Sequence, residues 1–188
     1  MDRRGFLKRS VQKTAEHAVE AVEARLKERA RRWIRPPFAV AELDLLLGCT
    51  RCGDCIDACP HKVIFPLKAS LGPDVAGTPA LDLTNNACHL CQDWPCVTAC
   101  EPGVLKQPPA ESDTELLPRL SIARVNTEAC LPYLGPECGA CADSCPVEGA
   151  LLWRGDKPVI HPDHCVGCAQ CRQACVLDPS AILIQSLG

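Results

Sequence analysis

Sixteen cysteines constrain this chain of 188 residues more than any other feature, because they fall into four groups of four with none left over. The first group is Cys49, Cys52, Cys55 and Cys59, and the second is Cys88, Cys91, Cys96 and Cys100. The third is Cys130, Cys138, Cys141 and Cys145, and the fourth is Cys165, Cys168, Cys171 and Cys175. Groups one and four read C-x2-C-x2-C-x3-C, the second reads C-x2-C-x4-C-x3-C, and the third reads C-x7-C-x2-C-x3-C. The chain has only 3 Phe, 3 Trp and 1 Tyr. Aromatic side chains supply much of an ordinary core's buried area, so something other than a large conventional core must hold this fold.

Three uses of the cysteines compete. A disulfide framework suits short secreted chains, but paired bridges do not call for one tight spacing repeated four times. Structural zinc draws two ligands from one knuckle and two from a distant one, a habit that three cysteines at x2 intervals do not follow. Iron–sulfur clusters remain, and C-x2-C-x2-C-x3-C is the bacterial ferredoxin spacing. Three cysteines at these intervals lie on a loop that wraps one cubane. The loop's backbone N–H groups point at the sulfurs and offset negative charge. The fourth cysteine faces away at the start of a short helix and, in two-cluster ferredoxins, serves the partner cluster. Pro60 and Pro146 complete the C-P ending in groups one and three, whereas Glu101 precedes Pro102 in group two and Val176 follows Cys175 in group four. The expected cofactors are four [4Fe-4S] clusters held by all sixteen cysteines.

The intervals between groups repeat as well. Leu151-Leu152-Trp153, the turn Gly155-Asp156-Lys157 and the return Pro158-Val159-Ile160-His161 predict a hairpin between groups three and four. Val63-Ile64-Phe65 and Ala80-Leu81-Asp82-Leu83 predict a stretched version between groups one and two, Val104-Leu105 and Ser121–Val125 flank the next gap, and Ala181–Ile184 is a closing strand. The predicted fold is α+β, with two ferredoxin-like modules behind an amphipathic helix. Its boundaries are a basic segment at 1–35, a first module at 36–105, a linker at 106–120 and a second module at 121–188. The short gap from Cys145 to Cys165 favours exchange of fourth cysteines between groups three and four, and hence between one and two. A nested exchange, one with four and two with three, is the alternative.

Charge divides the chain in the same way. Residues 1–35 hold 11 Lys/Arg against 5 Asp/Glu, while residues 36–188 hold 9 against 18. Val11, Ala15, Ala18, Val22, Leu26, Ala30 and Trp33 fall on one helical face after a Ser10 cap, and Pro36-Pro37 end the helix. Three roles are open to it: packing on its own body, docking on a partner or membrane surface through residues 10–35, or export. Arg3-Arg4-Gly5-Phe6-Leu7-Lys8 looks like the twin-arginine motif, although the residues after it are polar where an export signal is apolar. No run of 18 apolar residues exists, and 47% hydrophobic with 23% charged content argues against global disorder. No catalytic triad, phosphate loop, paired catalytic carboxylates or nucleic-acid module is visible, so the chain reads as a carrier without substrate chemistry of its own. His61, His89 and His164 lie beside the cysteine loops, where sixteen thiolates already suffice, so they are expected to support ligands or face solvent. Trp94 and Trp153 are expected to pack against clusters or strands.

With these flanks, the groups resemble the ferredoxin-type proteins NapF, NapG and MauM over the whole chain. The resemblance is carried by Arg3-Arg4, Ile34-Arg35-Pro36-Pro37, the Cys49-Thr50-Arg51-Cys52 opening, and the long step from Cys130-Leu131-Pro132-Tyr133 to Cys138. The leader without an apolar stretch is more like NapF. Trp94-Pro95-Cys96 and Cys175-Val176-Leu177 are more like NapG and MauM. What the resemblance implies is four [4Fe-4S] clusters and electron transfer to or from a redox enzyme partner, or maturation of a molybdoenzyme such as periplasmic nitrate reductase. It also implies work in the cytoplasm, at the membrane surface or, on the NapG and MauM pattern, after twin-arginine export.

Overall fold

The computed structural model describes residues 33–108 and 117–187. The Arg3-Arg4 motif, the expected helix from Ser10 to residue 32 and the centre of the expected linker lie outside the described residues. The elements are short, as a chain with 17 Pro and 12 Gly requires. In the first half they are α1 (Glu42–Gly48), α2 (Asp54–Asp57), β1 (Ile64–Pro66), a 3-10 turn (Ala69–Leu71), β2 (Pro79–Leu81) and α3 (Pro95–Thr98). In the second half they are β3 (Ser121–Val125), α4 (Leu131–Leu134), β4 (Leu151–Arg154), β5 (Lys157–Ile160), α5 (Gln170–Gln173) and β6 (Ile182–Ser186).

Each half is built on one plan. A hairpin lies between its two cysteine loops: β1 pairs antiparallel with β2, Ile64 opposite Leu81, and β4 with β5, Leu151 opposite Ile160. The chain entering each half then pairs with the chain leaving it. In the second half this is a full ladder, β3 antiparallel to β6, from Ser121 opposite Ser186 to Val125 opposite Ile182. In the first half it shrinks to a bridge between Ala39 and Leu105, flanked by Val40 N–H to the Val104 carbonyl and Lys106 N–H to the Phe38 carbonyl, both 3.0 Å. The β4–β5 turn is Gly155-Asp156, both with positive φ (55° and 61°), the backbone of a type I′ hairpin. The predicted turn ran one residue longer, and Lys157 belongs to the strand.

The first half begins earlier than the prolines suggest. Trp33, expected on the helix, sits in a bend and is buried against Leu67, Val75 and Ala80. Ile34 bridges Leu81. Arg35 grips Glu42 twice, Nε to Oε2 at 2.9 Å and Nη2 to Oε1 at 2.5 Å, and reaches the Thr78 hydroxyl and the Pro79 carbonyl at 3.0 and 2.7 Å. This planar fork on a carboxylate is the geometry arginine is suited to. Arg35, counted by charge with the basic tail, is therefore committed to the body.

Between the halves, packing is continuous. One core cluster joins Cys59, Val63, Ile64, Leu83 and Ala87 of the first half to Leu120, Val166, Cys168 and Ala169 of the second. A second cluster, within the second half, gathers Ala123, Cys141, Cys171 and Ile182. Cysteines thus make up much of both cores, as the shortage of aromatics requires. Among the described residues no helix is long and apolar enough to cross a membrane.

Candidate metal centres

All sixteen cysteines are free thiols, and the fold gathers them in four sets that cut across the sequence groups. Cys49, Cys52, Cys55 and Cys100 line one hollow. Cys59, Cys88, Cys91 and Cys96 line another. In the second half, Cys130, Cys138 and Cys175 are the thiols that act on Cys141, and Cys168, Cys165 and Cys145 are those that act most strongly on Cys171. Each set takes three thiols from one loop and its fourth from the other loop of the same half. Exchange therefore runs between groups one and two and between three and four, and the nested alternative is not what the fold adopts.

The loops hold this geometry at a local cost. In the first loop Arg51 and Gly53 have φ of 61° and 91°, in the second Leu90 and Trp94 have 50° and 44°, and in the fourth Gly167 and Ala169 have 70° and 69°. The same two places in three loops are left-handed, four of the six without glycine. An L residue there costs about 1–2 kcal/mol, and such strain persists where the surroundings over-determine it, typically around a ligand. The left-handed residue before α2, α3 and α5 lets each short helix begin, and each helix carries the third cysteine of its loop, Cys55, Cys96 or Cys171, so the fourth follows the helix end and does not open the helix as expected. The third loop, with its longer first step, inserts α4 between Cys130 and Cys138 instead. Gly167 has a second constraint, since a Cβ there would lie 2.2 Å from the Ser121 carbonyl oxygen.

Burial pushes thiol ionisation up, and neighbouring thiols push it further. Cys55 is raised to about 11 by burial and then by Cys100, Cys49 and Cys52. Cys96 and Cys171 are each raised to about 12, again by burial first and thiol neighbours second. Opposing this are N–H donors from the loops: Leu90 to Cys88, Gln170 to Cys168, and Gly167 and Ala123 to Cys165. Cys175 is the exception. Burial works upward there too, but the Ser180 hydroxyl, the Leu177 and Ala181 amides and the Arg172 charge outweigh it and hold the thiol below its ordinary value. Thiols packed this way ionise together only around strong positive charge, such as metal, which deprotonates coordinating thiols outright.

Four thiols at each site are a donor set that fits an iron–sulfur cubane. A tetrahedral zinc needs its sulfurs about 2.3 Å from one centre, whereas a cubane takes a thiolate at each of four separated corners. Trp94, which lines the hollow of the second set, is buried with an indole N–H that finds no protein acceptor, and the same holds for Trp153 Nε1. A buried donor without a partner calls for one, and cluster sulfides would serve. His61 and His89 stack face to face at 3.6 Å on the rim of the same hollow. His164 lies 6.5 Å from His161 in an edge-on contact. The left-handed places at Arg51, Leu90 and Ala169 and the unpartnered indoles were not among the sequence expectations, and only the cysteine spacing around them could have pointed to them.

Free thiols in crossed sets, on loops that lead into one-turn helices, define an iron–sulfur protein of the ferredoxin type. Residues 48–104 match the family described as 4Fe-4S dicluster domain. The chain is 36% identical over 164 residues to the ferredoxin-type protein NapG of Haemophilus influenzae, covering 80% of this chain and 58% of that protein. It is 34% identical over 160 residues to the methylamine utilization ferredoxin-type protein MauM of Methylobacillus flagellatus, covering 80% and 67%. It is 33% identical over 147 residues to the ferredoxin-type protein NapF of Escherichia coli, covering 76% and 79%. No solved structure matches the chain. The chain belongs to the NapF/NapG/MauM family of ferredoxin-type proteins.

Proposed function

We propose that this protein relays single electrons to or from a redox enzyme through four [4Fe-4S] clusters, without substrate chemistry of its own. Cys49, Cys52, Cys55 and Cys100 would hold the first cluster, and Cys88, Cys91, Cys96 and Cys59 the second. Cys130, Cys138, Cys141 and Cys175 would hold the third, and Cys165, Cys168, Cys171 and Cys145 the fourth. Each cluster, when bound, supplies a one-electron couple that changes charge with little rearrangement. The observation that carries this reading is the exchange of fourth cysteines in both halves, with all sixteen thiols free. The loops supply the rest. Their amides and the Trp94 indole offer donors to sulfur, and burial of Cys55, Cys88, Cys96, Cys141, Cys168 and Cys171 keeps water from the thiolates.

The redox partner is inferred from the family, one member of which is the methylamine utilization ferredoxin-type protein MauM. An acidic body, with 18 Asp/Glu against 9 Lys/Arg beyond residue 35, becomes more negative on loading and favours a basic partner surface with salt-sensitive association. Anaerobic reductive titration tests the relay. The reading expects about four electrons taken up per chain, one per cubane, and returned to a one-electron acceptor. Uptake of none, or release only with loss of iron, would contradict it.

A further inference from the structure

The two halves meet at two cysteines of different sets. The Cys88 amide donates to the Cys168 carbonyl at 2.9 Å. Gln170 Nε2 returns the contact to the Cys88 carbonyl at 3.3 Å, and Arg172 Nε reaches the Thr84 carbonyl at 3.0 Å. Both cysteines are buried, and Ala87, Leu120, Val166 and Ala169 close over them in the shared core.

Within each half the order is equally definite. Cys55 of the first set packs in one core with Cys59, Cys88 and Cys96 of the second, and Cys141 of the third set packs with Cys171 of the fourth. The first set has an exposed member, Cys52, beside α1 with Leu47 78% exposed. The third set is flanked by Leu134 and Val176 at 60% and 67% exposure.

From these contacts we infer that the four centres form one file in the order first, second, fourth, third. The Cys88–Cys168 hydrogen bond joins the halves, and the first and third centres are the two ends of the file. This rests on the iron–sulfur reading above and goes beyond it, because chain order alone would put the third set next to the second. An electron from an external one-electron donor enters at one end and leaves to a one-electron acceptor at the other. No bond is made or broken on the way. Between the halves its covalent and hydrogen-bonded route runs from Cys88 Sγ through Cβ, Cα and the amide N–H to the Cys168 carbonyl, and on to Cys168 Sγ.

Iron-edge anomalous diffraction from crystals of the anaerobically reconstituted full chain tests this without any substitution. The expected map has four iron centres in a file, and the closest pair across the halves is the one at Cys88 and the one at Cys168. A closest cross-half pair that includes the Cys49 or Cys130 centre overturns the inference. Zinc, or single-metal centres in place of clusters, overturns the iron–sulfur reading instead, so the two failures differ. In solution, electron spin relaxation of the reduced second centre gives an independent answer. Losing the fourth centre through Cys165→Ser with Cys171→Ser slows that relaxation severalfold. Losing the third through Cys130→Ser with Cys138→Ser leaves it unchanged. The reverse pattern overturns the proposed order, and iron analysis of each variant first establishes that only the intended centre is missing.

Discussion

Trp94 is 3% exposed, packs edge-on against Phe38 with ring centroids 4.9 Å apart, and has no protein acceptor for its indole N–H. A donor aimed at a cluster stabilises the more negative, reduced form. Trp94→Phe keeps the ring and removes the donor, so it is expected to lower the potential of the second centre. A hydrogen bond worth about 1 kcal/mol corresponds to about 40 mV for one electron. Spectroscopic redox titration should find that shift in one centre out of four. An unshifted second centre would make Trp94 a packing residue and nothing more. The four cysteine groups were legible at this scale from spacing alone, because C-x2-C-x2-C is a pattern that few other uses of cysteine produce. The indole donors were not, since a lone tryptophan carries no periodic signal and packing is its usual role.

Among the elements, the exchange of fourth cysteines is the feature with the sharpest consequence. Cys100 lies in the second sequence group but in the first spatial set. Cys100→Ala should therefore cost iron and alter the electron paramagnetic resonance signal of the centre held by Cys49, Cys52 and Cys55, and spare the centre held by Cys88, Cys91 and Cys96. Damage to the latter would restore the sequence grouping. The hairpins were readable because alternating apolar residues flank turn chemistry, as at Gly155-Asp156. The entry–exit pairing of each half was not, because β3 and β6 lie far apart in sequence and no local pattern couples Ser121 to Ser186. That pairing is what makes Gly167 sensitive. Gly167→Ala sets a Cβ against the Ser121 carbonyl at 2.2 Å, so β3 must move. Overpacking of this kind costs about 1–3 kcal/mol, added to about 1–2 for the left-handed residue. Gly155→Ala, whose Cβ would meet nothing within 4 Å, should cost only the backbone part. Thermal denaturation of the two loaded variants compares them directly, and equal losses would mean that the β3 contact contributes nothing.

For the whole molecule, both cores are made in large part of thiols whose ionisation is opposed by burial and by one another. Without metal, neutral thiols line hollows that little apolar surface can fill. Stability is therefore expected to depend on the clusters, as it does in small metal-built domains. Stripping iron anaerobically with a chelator should abolish the cooperative thermal transition in both halves, because Cys88 and Cys168 lie in one core across the join. An iron-free chain that still melted cooperatively near the loaded protein's temperature would contradict this. The seven aromatics and sixteen cysteines made a core rich in thiols legible from the start. The expected linker at residues 106–120 gave no sign of the packing of Leu120 with Val166 and Cys168. Contacts of that kind come from folding the halves onto each other, and no residue pattern records them.

Iron and acid-labile sulfide analysis of the anaerobically purified full chain, with Mössbauer spectroscopy of the same sample, tests the number and nature of the clusters most directly. Four cubanes predict about sixteen irons and sixteen sulfides per chain, with every iron in a cubane environment of thiolate and sulfide. About eight irons would leave one half without clusters, and about four zincs with no sulfide would overturn the account.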